Sequence, residues 1–171
     1  YGRIDKISAT NFDSDHVTAI LDAGIPLTSL QLQYSLLDRR PQKRMVGLAA
    51  QCDFALFCYG TVAGGFLSDR WLGKTEPEHP LENRSLTKYK LIIDDLGGWD
   101  LFQALLATLR KVADRHATDI ATIASAAMLR RPGVTAVIVG ARNRDHLASN
   151  LAISDVVLSD TDLAEIETAM A

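Results

Sequence analysis

An α/β fold built on a parallel sheet is the fold class this sequence predicts, and three observations carry it. Strand-like runs and helix-like stretches alternate four times along the chain. The helix-like stretches repeat apolar residues at i, i+3, i+4 and i+7, whereas the strand-like runs are short and rich in apolar or β-branched residues. Turn residues such as Gly24, Pro26, Pro132 and Gly133 punctuate the boundaries. Such alternation implies parallel strands joined by right-handed crossovers, either in an open doubly wound sheet or in part of a barrel. No internal repeat separates the two.

Residues Ile4 to Ala9 read as the first strand. Asp13 or Ser14 caps a short helix that carries Val17, Ile20 and Leu21 on one face and stops at Gly24 and Pro26. Leu30 to Tyr34 reads as the second strand, and Met45, Leu48, Ala49 and Cys52 mark the next helix. Phe54 to Tyr59 is the third strand. The segment from Thr61 to about Gly98 is dense in Gly, Pro and charge and reads as irregular, a length of loop that is usually functional. Trp99 to His116 is helical with Leu101, Leu105, Leu109 and Val112 on one side, and a further helix runs from about Asp119 to Leu129. Val134 to Val139 is the fourth strand. A helix through about Asn150 follows, and Ser159-Asp160-Thr161-Asp162 resembles a capping box that opens a last helix to Met170.

The second strand departs from the apolar rule for buried parallel strands. Leu30, Leu32 and Tyr34 face one way, and Gln31, Gln33 and Ser35 the other. An amide row needs partners, which a barrel's ligand end or an exposed sheet edge would each supply.

A length of 171 residues, 47% of them apolar and 23% charged, fits one soluble globular domain. A net charge of −3 with no run of like charges argues against a nucleic-acid partner. No stretch is apolar enough for a membrane span and Tyr1 to Asp5 carries no targeting pattern, so cytoplasmic residence is the default expectation. Cys52 and Cys58 read as buried thiols. The four histidines, at 16, 79, 116 and 146, fall at no ligand spacing, and no metal is implied.

One stretch carries chemistry by itself. Thr135 to Val139 breaks at Gly140 and opens into a helix with Arg142 and Arg144 in its first turn. Unpaired amides at a helix start, the helix dipole and guanidinium groups together attract a phosphate. A phosphate-bearing cofactor is the first suspect; a strand-to-helix turn with solvated arginines is the plainer alternative.

Four segments, taken together, resemble the aldo/keto reductases in order and spacing: Ile7 to Phe12, Gln31 to Leu37, Tyr59 to Leu67, and Pro132 through Gly140-Ala141-Arg142 to Asn150. The resemblance spans essentially the whole chain. It implies a (β/α)8 barrel that binds NADP, with NAD as the alternative, without a Rossmann fold, and it aligns residues 1–171 as a single unit with the C-terminal half, strands five to eight. A full barrel needs about 250 residues, so the N-terminal half would be absent from this sequence, as in a fragment or a split protein.

The resemblance implies a cofactor site residue by residue. Thr10 and Asn11, with Gln31, would hold the nicotinamide carboxamide, and Tyr59 would stack on its ring. Gly60, Val62 and Gly64 belong to the segment expected at the pyrophosphate. Gly140, Ala141, Arg142, Arg144, His146 and Asn150 correspond to the adenosine-phosphate and adenine contacts. Thr10 stands where Ser is usual, Gly60 where Ser is common, His146 where Arg or Gln is typical, and Ser149 where an acidic residue often meets the adenine. The family's catalytic Asp, Tyr, Lys and His come from strands two to four, and no residue here inherits those roles; Tyr89, between Lys88 and Lys90, falls in the irregular segment with nothing to position it. The expected activity is therefore NADP-dependent reduction of an aldehyde or ketone carbonyl in a completed barrel. This chain would supply the cofactor half and be inactive alone, pairing with the missing half or self-associating. A non-catalytic, cofactor-binding regulatory module is the alternative, with an open flavodoxin-like nucleotide binder a third reading that only the strand-helix alternation supports.

Overall fold

The computed structural model describes residues 2–170 apart from His79, Arg142, Asn143 and the side chain of Asp145. Its centre is a sheet of four parallel strands, β1 (Ser8–Thr10), β2 (Ser29–Gln33), β3 (Ala55–Tyr59) and β4 (Val134–Ile138). The strands lie side by side in chain order, β1-β2-β3-β4. The register aligns Thr10 with Gln31, Gln31 with Phe57 and Gln33 with Tyr59, and a bulge between Leu56 and Phe57 brings Tyr59 opposite Ile138.

The two faces of this sheet differ. Leu30, Leu32, Leu56 and Cys58 are buried on one face, whereas Gln31, Gln33, Phe57 and Tyr59 on the other are only half-buried and Ile138 is 41% exposed. A doubly wound sheet buries both faces and reverses its strand order at a switch point. This sheet does neither, so the choice the alternation left open falls to the barrel, with the amide row on the face a barrel encloses.

Helices α1 (Ser14–Asp22) and α2 (Met45–Cys52) follow β1 and β2. Asp13 caps α1 by accepting the His16 amide, as the sequence predicts. After β3 the chain makes two single turns of 3-10 helix, Ala63–Gly65 and Asp69–Trp71, before α3 (Arg84–Leu96), α4 (Trp99–Arg115) and α5 (Ile120–Leu129). The core lies between the apolar sheet face and these helices: Phe102, Leu105, Leu106, Leu109 and Val112 of α4 are inaccessible to solvent, and α5 is buried almost all round. Phe66, Trp71, Trp99 and Phe102 form an aromatic cluster under the turns after β3, with centroids 4.8–6.1 Å apart. After β4 come a 3-10 turn (Arg144–His146), α6 (Leu147–Ala152) and α7 (Asp160–Thr168). The capping box at Ser159 and Asp162 is present, and Arg115 and His116 at the end of α4 also bind Asp162.

Four expectations need correction. The segment from 61 to 98 is not irregular throughout, because Arg84–Leu96 is helical: Asn83 caps it by accepting the Leu86 amide, and Leu86, Tyr89 and Ile93 turn to one side. Pairing of β1 begins at Ser8 rather than Ile4, and Ile4 and Ile7 are exposed. Cys52 is exposed at the end of α2; Cys58 alone is buried, and burial pushes its thiol up to about 12. Finally, α6 starts at Leu147 and has no side-chain cap, so Arg144 precedes the helix instead of sitting in its first turn.

Candidate functional site

Asn11, directly after β1, and Tyr59, at the C-terminal end of β3, meet across β2, in which Gln31 stands mid-strand. Asn11, directly after β1, has φ 59°, a left-handed conformation that asparagine tolerates better than most residues. Its amide donates to the Gln31 carbonyl at 2.9 Å, which fixes the chain as it leaves the strand. The Tyr59 hydroxyl donates to Asn11 Oδ1 at 2.7 Å, so the phenol ring is held at its far edge, and the residue is half-buried at the wall of an open groove. That bond uses the oxygen of Asn11 and leaves its Nδ2 group two protons to donate. The Gln31 side chain has no hydrogen-bond partner among the described residues. The free Asn11 donor bonded beside Tyr59, and the unpartnered Gln31 amide on the same sheet face, offer donors and an acceptor that suit a planar ring bearing a carboxamide. Thr10 ends β1 exposed, in register with Gln31.

A second layer, which the sequence reading did not assign to the site, lies beside Tyr59. Gln33 donates from Nε2 to Asp38 Oδ2 at 2.7 Å and accepts at Oε1 from Lys88 Nζ at 2.7 Å. Asp38 is buried, with its side chain 2% exposed, and Arg40 grips it through Nε and Nη2 at 2.8 and 2.6 Å. Burial works against the Asp38 charge, yet the hydrogen bonds and charge of Arg40 and the Gln33 amide hold its carboxyl below the usual range. The signal for this layer was the polar parity of β2 followed by Asp38-Arg39-Arg40. A groove of about 500 Å³ opens next to Tyr59, and Asn11, Phe12, Gln33, Arg40 and Arg44 are among its walls.

Tyr89, expected to be unpositioned, is fixed by α3. It is 5% exposed, and burial pushes its phenol up. Its ring lies across the turn after β3, where a Cβ on Gly60 would meet the hydroxyl at 2.3 Å and one on Gly64 would meet the ring at 2.8 Å. Both glycines have positive φ, 75° and 66°. Glycine is thus required at 60 and 64 by the approach of Tyr89 as well as by the turn. Val62 between them is half-buried, and Thr61 anchors the turn by a buried hydrogen bond to Ser125 of α5 at 2.9 Å. Lys90, with its side chain 4% exposed, pins α3 to the preceding loop through Glu76 and to its own next turn through Asp94.

The remaining predicted residues follow β4, the strand that pairs with β3 through Tyr59 and Ile138. Gly140, Ala141, Arg144 and His146 are exposed. Asn150 donates to the Gly140 carbonyl at 3.0 Å, so it closes the turn across ten residues. Arg142 lies outside the described residues. Among those described, no three His, Cys, Asp or Glu residues are grouped to hold a metal, and no helix is long and apolar enough to cross a membrane.

Comparison with known proteins places this geometry in context. The family model described as the aldo/keto reductase family matches residues 1–171. Flagellar radial spoke protein 5 of Chlamydomonas reinhardtii is 30% identical over 125 residues, 71% of this chain and 24% of that protein. The NADH-specific methylglyoxal reductase of Escherichia coli is 25% identical over 161 residues, 94% of this chain and 47% of that protein. The chain thus spans a quarter to a half of the length of these relatives. Among solved structures, the glycerol dehydrogenase of Gluconobacter oxydans superposes on 99% of the chain with a TM-score of 0.82 at 18% identity, over 50% of its own length. A thermostable aldo-keto reductase solved with the inhibitor epalrestat covers 96% with a TM-score of 0.67 at 20% identity, over 48% of its length.

Proposed function

The chain belongs to the aldo/keto reductase family, and we propose on that premise that it supplies the cofactor-binding half of an oxidoreductase that reduces aldehyde or ketone carbonyls. The observation that carries this reading is that Asn11, directly after β1, bonds to Tyr59 at the C-terminal end of β3 and to the backbone of Gln31 in β2 between them, at the end where (β/α)8 barrels build their sites. When bound, a nicotinamide dinucleotide would supply the hydride. The work of this chain is to hold it: the Tyr59 face as platform, Asn11 Nδ2 and the Gln31 amide at the carboxamide, and the 60–65 turn beneath the pyrophosphate. The proton donor would come from the other half of the barrel. Tyr89 is a poor candidate for that role, because burial against Gly60 raises its pKa and keeps it from solvent.

The preferred cofactor in this reading is NADP. Arg142 and Arg144 follow β4 at the position the family reserves for the adenosine phosphate, and one charge-assisted hydrogen bond to the 2'-phosphate is worth about 1.5–3 kcal/mol. The NADH specificity of the E. coli relative is the counterweight. In the completed barrel, NADPH oxidation should depend on an added aldehyde or ketone, and the chain alone should give none. Arg142→Ala should weaken NADPH binding at least several-fold and spare NADH; equal loss for both would remove the NADP preference. A completed barrel that binds cofactor and reduces no carbonyl would favour the second reading, a non-catalytic cofactor-binding module, for which the similarity to a flagellar radial spoke protein speaks.

A further inference from the structure

The least explained cation of the site is Lys88. Its Nζ stands 5.8 Å from the centroid of the Tyr59 ring and 4.4 Å from that of Tyr89, both within cation–π range, and donates to Gln33 Oε1 at 2.7 Å. Three neighbours on three elements, Gln33 of β2, Tyr59 of β3 and Tyr89 of α3, therefore hold the ammonium in one place beside the half-buried Tyr59 ring. None of them is charged. Arg40 and Asp38 neutralise each other one step further along the network, and Lys88 has no carboxylate within ion-pair distance among the described residues. A helix positions this charge: Tyr89 seats α3 against Gly60 and Gly64, and Lys90 ties it to Glu76.

Resting on the reading of Tyr59 as the nicotinamide platform, we propose that Lys88 sets the redox-state preference of the cofactor site, so that the reduced dinucleotide binds in preference to the oxidised one. The oxidised nicotinamide ring carries a positive charge and the dihydronicotinamide ring carries none. A fixed ammonium beside the platform repels the first and is indifferent to the second. At a separation on the order of that between Nζ and the Tyr59 ring, repulsion between unit charges screened as in bulk water gives roughly a threefold difference in affinity, and more where the face is shielded. The two forms carry the same phosphates, so any attraction of Lys88 to pyrophosphate cancels in the ratio of their affinities. The consequence is directional: the site takes up the reduced cofactor and releases the oxidised product, which favours carbonyl reduction over alcohol oxidation.

The test is a pair of equilibrium titrations on the completed barrel, NADPH by its fluorescence and NADP by displacement or calorimetry, for the unaltered protein, Lys88→Gln and Lys88→Arg. Lys88 is exposed, and circular dichroism checks that each variant is folded. Lys88→Gln should shift the ratio of dissociation constants at least about threefold in favour of NADP, while Lys88→Arg keeps the original ratio. An unchanged ratio, or equal weakening of both forms, overturns the proposal, the latter making Lys88 a phosphate ligand. Failure of the unaltered protein to bind either form, or binding indifferent to Tyr59→Ala, overturns instead the platform reading on which the proposal rests.

Discussion

At the residue scale, the site is governed by what touches the turn after β3. Gly60 is the sharpest case, since its φ of 75° and the Tyr89 hydroxyl 2.3 Å from an added Cβ oppose any side chain there. Gly60→Ala should cost about 1–3 kcal/mol in denaturant unfolding. Tyr89→Phe removes the clashing oxygen and leaves the next atom at 3.2 Å, so the same substitution in a Tyr89→Phe background should cost measurably less. Strictly additive costs would show that the backbone conformation alone demands glycine. Asp38 makes a contrasting case. Its carboxylate is buried against Arg40 and Gln33, and Asp38→Ala leaves the exposed Arg40 guanidinium to water and frees Gln33, the residue that holds Lys88.

At the element scale, α7 is docked by the buried Ile166, by Glu165 and Glu167 paired with Arg115, Arg39 and Arg131, and above all at its start by Asp162. Asp162 accepts the Ser159 amide and hydroxyl to close the capping box and is gripped by Arg115 and His116 from α4. Burial opposes its charge, but these hydrogen bonds hold its carboxyl far below the ordinary range. The sign follows from that depression: the folded state binds the proton more weakly than the unfolded chain, so the stabilisation is full above about pH 4 and drains away as pH falls toward the folded value. Asp162→Asn should lower stability at pH 7 by about 2 kcal/mol and flatten the acid limb below pH 4. An acid limb as steep as that of the unaltered protein would assign the effect to other carboxylates. Ser159→Ala, which removes the cap and keeps the ion pair, should cost about 1 kcal/mol.

Helix α3 shows where sequence pattern stops being readable. Its apolar positions, Leu86, Tyr89 and Ile93, are correctly spaced, but Lys88 and Lys90 fall between them, Asp94 and Asp95 follow, and Gly- and Pro-rich sequence precedes them. Lys90 is buried through partners that only tertiary structure supplies, so no local pattern announces it. By contrast, Asp13, Asp119 and Ser159 are caps whose action is local, and each opens its helix where the sequence places it. Lys90→Met should loosen α3, seen as faster amide exchange in residues 84–96 with the exchange of α5 unchanged.

For the whole molecule, the polar parity of β2 was legible and its meaning was not. Gln31 and Gln33 stand on the sheet face without helices, and only the strand order and the asymmetric burial show that this face belongs to a barrel interior. The resemblance located Asn11, Gln31 and Tyr59 in the sequence, and folding brings Asn11 into contact with both. That Gln33, Asp38, Arg40 and Lys88 form one network was not legible, because it joins a strand, a loop and a helix separated by up to 55 residues. The outer edges of β1 and β4, unpaired among the described residues, are where a completing half would add its strands, and sedimentation should show the chain associating with that half or with itself. A stable monomer at dilution would contradict this.

In the proposed function the Tyr59 ring is the seat of the nicotinamide. The most direct measurement is the titration of NADPH fluorescence by the completed barrel with Tyr59 intact and as Tyr59→Ala, alongside Tyr59→Phe. Loss of a base–aromatic stack of about 1–3 kcal/mol predicts roughly 5- to 150-fold weaker binding for Tyr59→Ala. Tyr59→Phe, which keeps the ring and loses only the bond to Asn11, should fall between the two. Equal affinity for all three proteins would contradict the account and remove the ring from the Tyr59 face.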